Sequence, residues 1–201
     1  MTILGRRTCH MLIGLLALSA AAAAQTDAGL VTRGSVELGG KQVPYIVRHL
    51  PPASFPDLPG NVATELTRRD CLIPQTYEAH QPENVVHGSF QQPGSSDWAV
   101  LCSVGGEVKL LVFISGDPAG PMTLGSAVET QRLQAYPGGT EMGFNWGIDR
   151  AGAEAVRQAQ TGLKPRPARL DHDALADSVV EQRTIYHYYQ NGRWVLVDMP
   201  E

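Results

Sequence analysis

The sequence predicts an α+β fold: a mostly antiparallel sheet of hairpins with one or two short packed helices, stapled by a disulfide. Three observations predict it. Trp98 to Cys102 and Val108 to Ile114 are apolar runs rich in branched and aromatic residues, separated by Gly105-Gly106, and read as one antiparallel hairpin. Asn191-Gly192 and Gly39-Gly40 lie between further strand-like runs and suit two-residue turns. Cys71 and Cys102 are the two thiols left once an amino-terminal leader carrying Cys9 is removed.

That leader has the three parts of a secretory signal. Arg6 and Arg7 precede an apolar segment from Met11 to about Ala24, which ends in small residues, so cleavage is expected after Ala24. The arginine pair also fits a twin-arginine signal. The apolar segment is short for a bilayer span, and no membrane span is expected after its removal. The expected organisation is a signal at 1–24 and one secreted domain at 25–201, periplasmic or extracellular. Removing 24 of 201 residues leaves 177, enough for a real core. Losing Arg6 and Arg7 takes the net charge from −4 to −6, which argues against nucleic acid or an anionic membrane as partner. A protein or a small molecule is the expected ligand. In an oxidising compartment Cys71 and Cys102 are expected to bridge, contributing roughly 3 to 4 kcal/mol for a loop of that span.

Taken in order, Gln25 to Arg33 has little pattern and is expected to be loosely held. Ser35 to Leu38 and Lys41 to Arg48 flank the first turn, and Pro44, with no N–H, places its part of the second strand at an edge. The prolines at 51, 52, 56 and 59 predict an extended connector. Leu58, Val62 and Leu66 then form one apolar stripe of a helix that ends near Asp70. Asn84 to Phe90 adds a third strand to the central hairpin. Within that hairpin Trp98, Val100 and Cys102 share one face and Ala99 and Leu101 the other, so both faces are apolar.

Further on, the pattern predicts a strand near Ala127 to Leu133 and a long glycine-rich turn from Tyr136 to Gly147. Alternating Phe144 and Trp146 there read as core more readily than as a ligand platform. Asp149 resembles an N-cap for a short polar helix stopped by Gly162. Ser178 to Tyr189 reads as a long strand, paired with Arg193 to Val197 through Asn191-Gly192.

The central and final stretches share a plan of polar loop ending in Asp, apolar strand, Gly turn and second strand, with Asp97-Trp98-Ala99-Val100 echoed by Asp177-Ser178-Val179-Val180. In this they resemble single units of the calcium-dependent repeats of FG-GAP and VCBS-type propellers, although two units cannot close a propeller. The resemblance implies a Ca²⁺ loop of the form DxDGxxxD, whose carboxylates are matched here by Asp171, Asp173 and Asp177, with Ala174 in place of the glycine. The solvated-turn reading of Asp171 and Asp173 stands beside it. Cys71 to Gln75, Asp97 to Ser103, Asp171 to Asp173 and Gly192 to Trp194 also resemble a group of secreted bacterial proteins with no assigned activity. That resemblance implies fold and export and carries over no site.

No GxSxG, HExxH or SxxK pattern is present, so no catalytic residues are assigned and the expected function is non-catalytic binding or structure. Tyr186, Tyr188, Tyr189 and Trp194 are the named candidate surface. The alternative is a hydrolase in which His172, between two aspartates, acts as general base with Asp173.

Overall fold

The computed structural model describes residues 30–136 and 138–198, and its strands form three sheets that are antiparallel except at one pairing. The expected leader at 1–24 lies outside the described residues. In the first sheet, β1 (Val31–Leu38) and β2 (Lys41–Leu50) make the predicted hairpin. Val31 to Arg33, expected to be loose, belong to β1, where they stand opposite Arg48, Val47 and Ile46 and Thr32 bonds into the β2 ladder. Past Pro44 the far edge of β2 is covered, antiparallel by β3 (Ile73–Gln75) and parallel by β9 (Met142–Phe144), which in turn carries β8 (Leu133–Ala135). Gly143 in β9 has no room for a side chain: a Cβ there would lie 2.5 Å from that of Tyr77.

The second sheet is the meander β4 (Val85–Gly88), β5 (Asp97–Val104), β6 (Glu107–Phe113) and β7 (Met122–Val128). Its last strand comes earlier than the expected 127–133. At Glu129 the chain leaves the sheet in a 3₁₀ turn, the Glu129 N–H donating to Gly106 O and its side chain turning inward. The third sheet is β10 (Trp146–Ala151), β11 (Ala174–Val179), β12 (Arg183–Gln190) and β13 (Arg193–Asp198). The expected single strand at 178–189 is therefore two strands. They are divided at Val180–Gln182, where Glu181 takes φ 58° and Gln182 N–H donates to Val179 O. The residues at the break, Val180, Glu181 and Gln182, include no Gly, Pro, Asn or Asp to mark such a fold-back.

Alternation explains the layering. Trp98, Val100 and Cys102 of β5 pack in one cluster against α1 (Gly60–Arg68), while Ala99 and Leu101 join a central core with Val47, Phe144, Trp146 and Leu175. Likewise Ala174 and Ala176 of β11 face α2 (Ala153–Ala159), and Leu175 points to the central core. Each meander is thus covered by a helix on its outer face. Phe144 and Trp146, both fully buried, are core. Helix α2 begins at Gly152, not at Asp149, since Asp149 and Arg150 pair with Ala176 and Leu175 in the β10–β11 ladder and strand pairing overrides the local capping signal. Between β2 and α1, Pro52–Ser54 is a 3₁₀ turn and not the extended connector expected from its prolines, because proline is well suited to the first turn of a helix.

Cys71, just past α1, is bonded to Cys102 of β5, with a Cα separation of 5.3 Å. A second tie is Asn84, buried and at φ 70°: its side-chain amide donates to Pro74 O and Trp146 O, and its carbonyl oxygen accepts from Ile148 N. One residue thus joins β3, β4 and β10. A third is buried Glu129, which accepts from His49 Nε2 and from Ser103 Oγ, both at 2.8 Å, linking the first sheet to the second. Burial pushes the Glu129 carboxyl up, but His49 and Ser103 outweigh it and hold the group below its ordinary value. Among the described residues no helix is long and apolar enough to cross a membrane.

Candidate functional site: a groove beside Trp98

The carboxylates named from the late loop do not converge. Asp171 is exposed and accepts from His172 Nδ1 at 2.9 Å, and this bond holds its pKa below the ordinary carboxylate value. Asp173 accepts from the backbone N–H of Ser89 at 3.0 Å and faces Arg150 at 3.8 Å. Asp177 lies within β11, where Trp146 Nε1 donates to one oxygen at 2.6 Å and His187 Nε2 to the other at 2.9 Å. Three carboxylates serve three separate sets of partners, and Ca²⁺ needs several oxygens around one point. Among the described residues no group of three or more His, Cys, Asp or Glu side chains is placed to hold a metal ion. Ala174, at the expected glycine position, is fully buried beneath α2.

His172 is also committed. Its Nε2 donates to the Tyr189 carbonyl at 2.9 Å while Nδ1 faces Asp171, so both ring nitrogens meet acceptors and neither is directed at a substrate. The depression it lines, about 250 Å³, has no serine or threonine in its lining, and Asp173 is not part of it. The aromatic surface expected at the end of the chain is mostly taken up by packing: Tyr188 is 1 % exposed, Tyr186 packs with it against α2, and Tyr189 meets Trp194 edge-on at 5.7 Å. The period-2 alternation that puts Tyr186 and Tyr188 on one face puts them on the helix-covered face.

A different place has the shape of a binding site. Between the proline-rich segment before α1 and the outer face of β4–β5 lies a groove of about 790 Å³, within the range of small-molecule pockets. Phe55, Leu58, Pro82 and Val85 give it apolar walls, and Trp98 and His87 one aromatic side. The two rings stack at 4.6 Å between centroids and 30° between planes, neighbours across the β4–β5 ladder. Leu58 and Trp98 are anchored in the cluster under α1, so that wall is backed by core. His87 is exposed and its Nε2 lies 2.9 Å from Ser96 Oγ. Among the described residues no carboxylate bonds the other ring nitrogen, the orienting contact that a hydroxyl nucleophile's base relies on. Asp57 is the one acidic group in the lining.

A second hollow of about 480 Å³ lies between β4 and β10 and carries Glu78, Glu83 and Asp149. Desolvation, then the Glu83 charge, pushes Asp149 above its ordinary value, while Glu83 is spent on the Thr76 N–H. The Trp98 groove differs in its apolar walls and stacked aromatic side. Sequence reading missed it because its parts come from three separated segments, 54–58, 82–87 and Trp98. The available signal was the pairing of His87 with the strand that contains Trp98.

The chain matches no family model, no curated protein and no solved structure.

Proposed function

We propose that this is a secreted, non-catalytic binding domain, periplasmic or extracellular, and that its ligand is a small molecule with a planar apolar body that enters the groove beside Trp98. The observation that carries the reading is the His87–Trp98 stack backing an apolar groove of about 790 Å³. Aromatic faces reward planar apolar ligands, and a wall fixed by core packing loses little freedom on binding. The Cys71–Cys102 bridge and the sequence of the leader support export.

The test uses 1-anilinonaphthalene-8-sulfonate as a fluorescent planar probe. The wild type is expected to bind it saturably, His87→Ala to weaken binding by about threefold to tenfold as one stacking face is lost, and Val85→Trp to abolish it by filling the groove. Probe binding unchanged in a folded Val85→Trp variant would overturn the proposal.

A further inference from the structure

Among the described residues β1 has one neighbour, β2, and none of them pairs with its other edge over eight residues. The outer part of this hairpin projects: Thr32 to Ser35, Glu37 to Gln42 and Pro44 are all exposed, with Leu38 at 58 %. An isolated two-stranded ribbon is marginal in water, and an open strand edge is a template for another strand.

Which backbone groups point outward follows from the turn. With Leu38 opposite Lys41 across the two-residue turn, that pair exchanges both hydrogen bonds, and pairs then alternate. Glu37–Gln42, Ser35–Pro44 and Arg33–Ile46 are therefore the non-hydrogen-bonded pairs, which agrees with Pro44 having no N–H to give. On β1, the N–H and C=O of Arg33, Ser35 and Glu37 face the open edge.

Arg33 and Glu37 lie on one face of β1, about 13 Å apart at the rise of an extended strand, too far to pair with each other. Neither has an ion-pair partner among the described residues. Both gain one if the strand meets its own copy. With two β1 strands antiparallel and Ser35 opposite Ser35, Arg33 of each copy stands opposite Glu37 of the other. All three pairs then use the outward backbone groups. On the other face Gly34 comes opposite Val36 and Thr32 opposite Leu38. Gly34 contributes here through what it lacks, since a Cβ would lie 2.8 Å from the Tyr45 ring, which reaches over it towards the edge.

We propose that a second copy of this chain docks on the β1 edge, in that two-fold register, forming one sheet continuous through both copies. Such an interface is isologous, with the same patch on each partner. Hydrogen bonds between backbones supply the contact, and two symmetry-related Arg33–Glu37 pairs set the register.

Sedimentation velocity of the purified protein over its soluble concentration range tests this, with thermal unfolding to verify each variant's fold. The wild type is expected to show a reversible monomer–dimer equilibrium. Arg33→Glu or Glu37→Arg alone places like charges opposite each other twice and should weaken dimerisation about tenfold. The double variant Arg33→Glu, Glu37→Arg restores both pairs and should return the dissociation constant to near wild type. Ser35→Pro removes an outward N–H while sparing the β2 ladder and should give monomer. A wild type that stays monomeric, or a dimer that the single charge reversals leave unchanged or that the double variant fails to restore, would overturn it.

Discussion

The second and third sheets are both four-stranded antiparallel meanders in chain order, each covered by one helix and each with an aspartate on its second strand, yet the two aspartates act differently. Asp97, fully buried at the start of β5, accepts from the backbone N–H groups of Phe90, Gln91 and Ser115 and from the Ser95 hydroxyl. It clamps the loops at one end of its own sheet. Asp177, the fourth residue of β11, joins the indole of Trp146 to the imidazole of His187, across three adjacent strands. The second sheet also has the disulfide and a β5 that is buried throughout except at Val104. Equal sequence patterns thus yield a stapled sheet with a loop clamp and an unstapled sheet joined by a side-chain relay.

The largest expected loss comes from breaking the clamp. Asp97→Ala strands the backbone N–H groups of Phe90, Gln91 and Ser115 and should lower unfolding free energy by roughly 4 kcal/mol in urea titrations. Next is the staple: Cys71→Ala with Cys102→Ala should cost roughly 3.5 kcal/mol by the loop-entropy estimate, read in the same experiment without reductant. Asn84→Ala removes the tie between the sheets, leaving Ile148 N–H unpaired and a left-handed residue without asparagine's tolerance for it. About 3 kcal/mol is expected, with hydrogen exchange accelerated first at Ile148. Asp177→Asn should cost only about 1 kcal/mol, since the amide can still accept from Trp146 and His187 can adapt by changing tautomer. A shifted imidazole resonance would report that change.

The smallest effect is on acid stability. Hydrogen bonds from Arg68, then Arg69, hold Glu65 on the outer face of α1 at about 2, and the His172 bond holds Asp171 below its ordinary value. Both carboxyls have folded pKa values below the unfolded ones, so their contribution is present above about pH 4.5 and is lost as pH falls towards the folded values. Solvent screening keeps it small. Glu65→Gln should flatten the acid limb of the stability curve more than Asp171→Asn, with the curves converging near pH 2; an unchanged slope between pH 5 and 2 in Glu65→Gln would count against the ion-pair assignment.

Much of the second sheet is legible in the sequence. The two-faced alternation of Trp98 to Cys102 places those residues between two cores, and the expected Cys71–Cys102 bridge is present. The first and last turns, at Gly39-Gly40 and Asn191-Gly192, were legible for the same reason: dihedral preference is a local property. The third sheet was read less well. Asp149 was drawn out of a helix cap by the β10–β11 ladder, whose partners are far apart in sequence and outweigh local capping, and the strand break at Glu181 is a short turn closed by Val179 and Arg183.

The sequence by itself determined the strand-forming runs, the tight turns and which two cysteines pair, because each depends on neighbours or on counting. Tertiary structure alone decided that Asp171, Asp173 and Asp177 serve separate sets of partners, that Tyr188 is core, and that Phe55, His87 and Trp98 share a groove. The physical reason is that a site is an arrangement of side-chain directions, and those directions are set by which distant strands pair and which face a helix then covers.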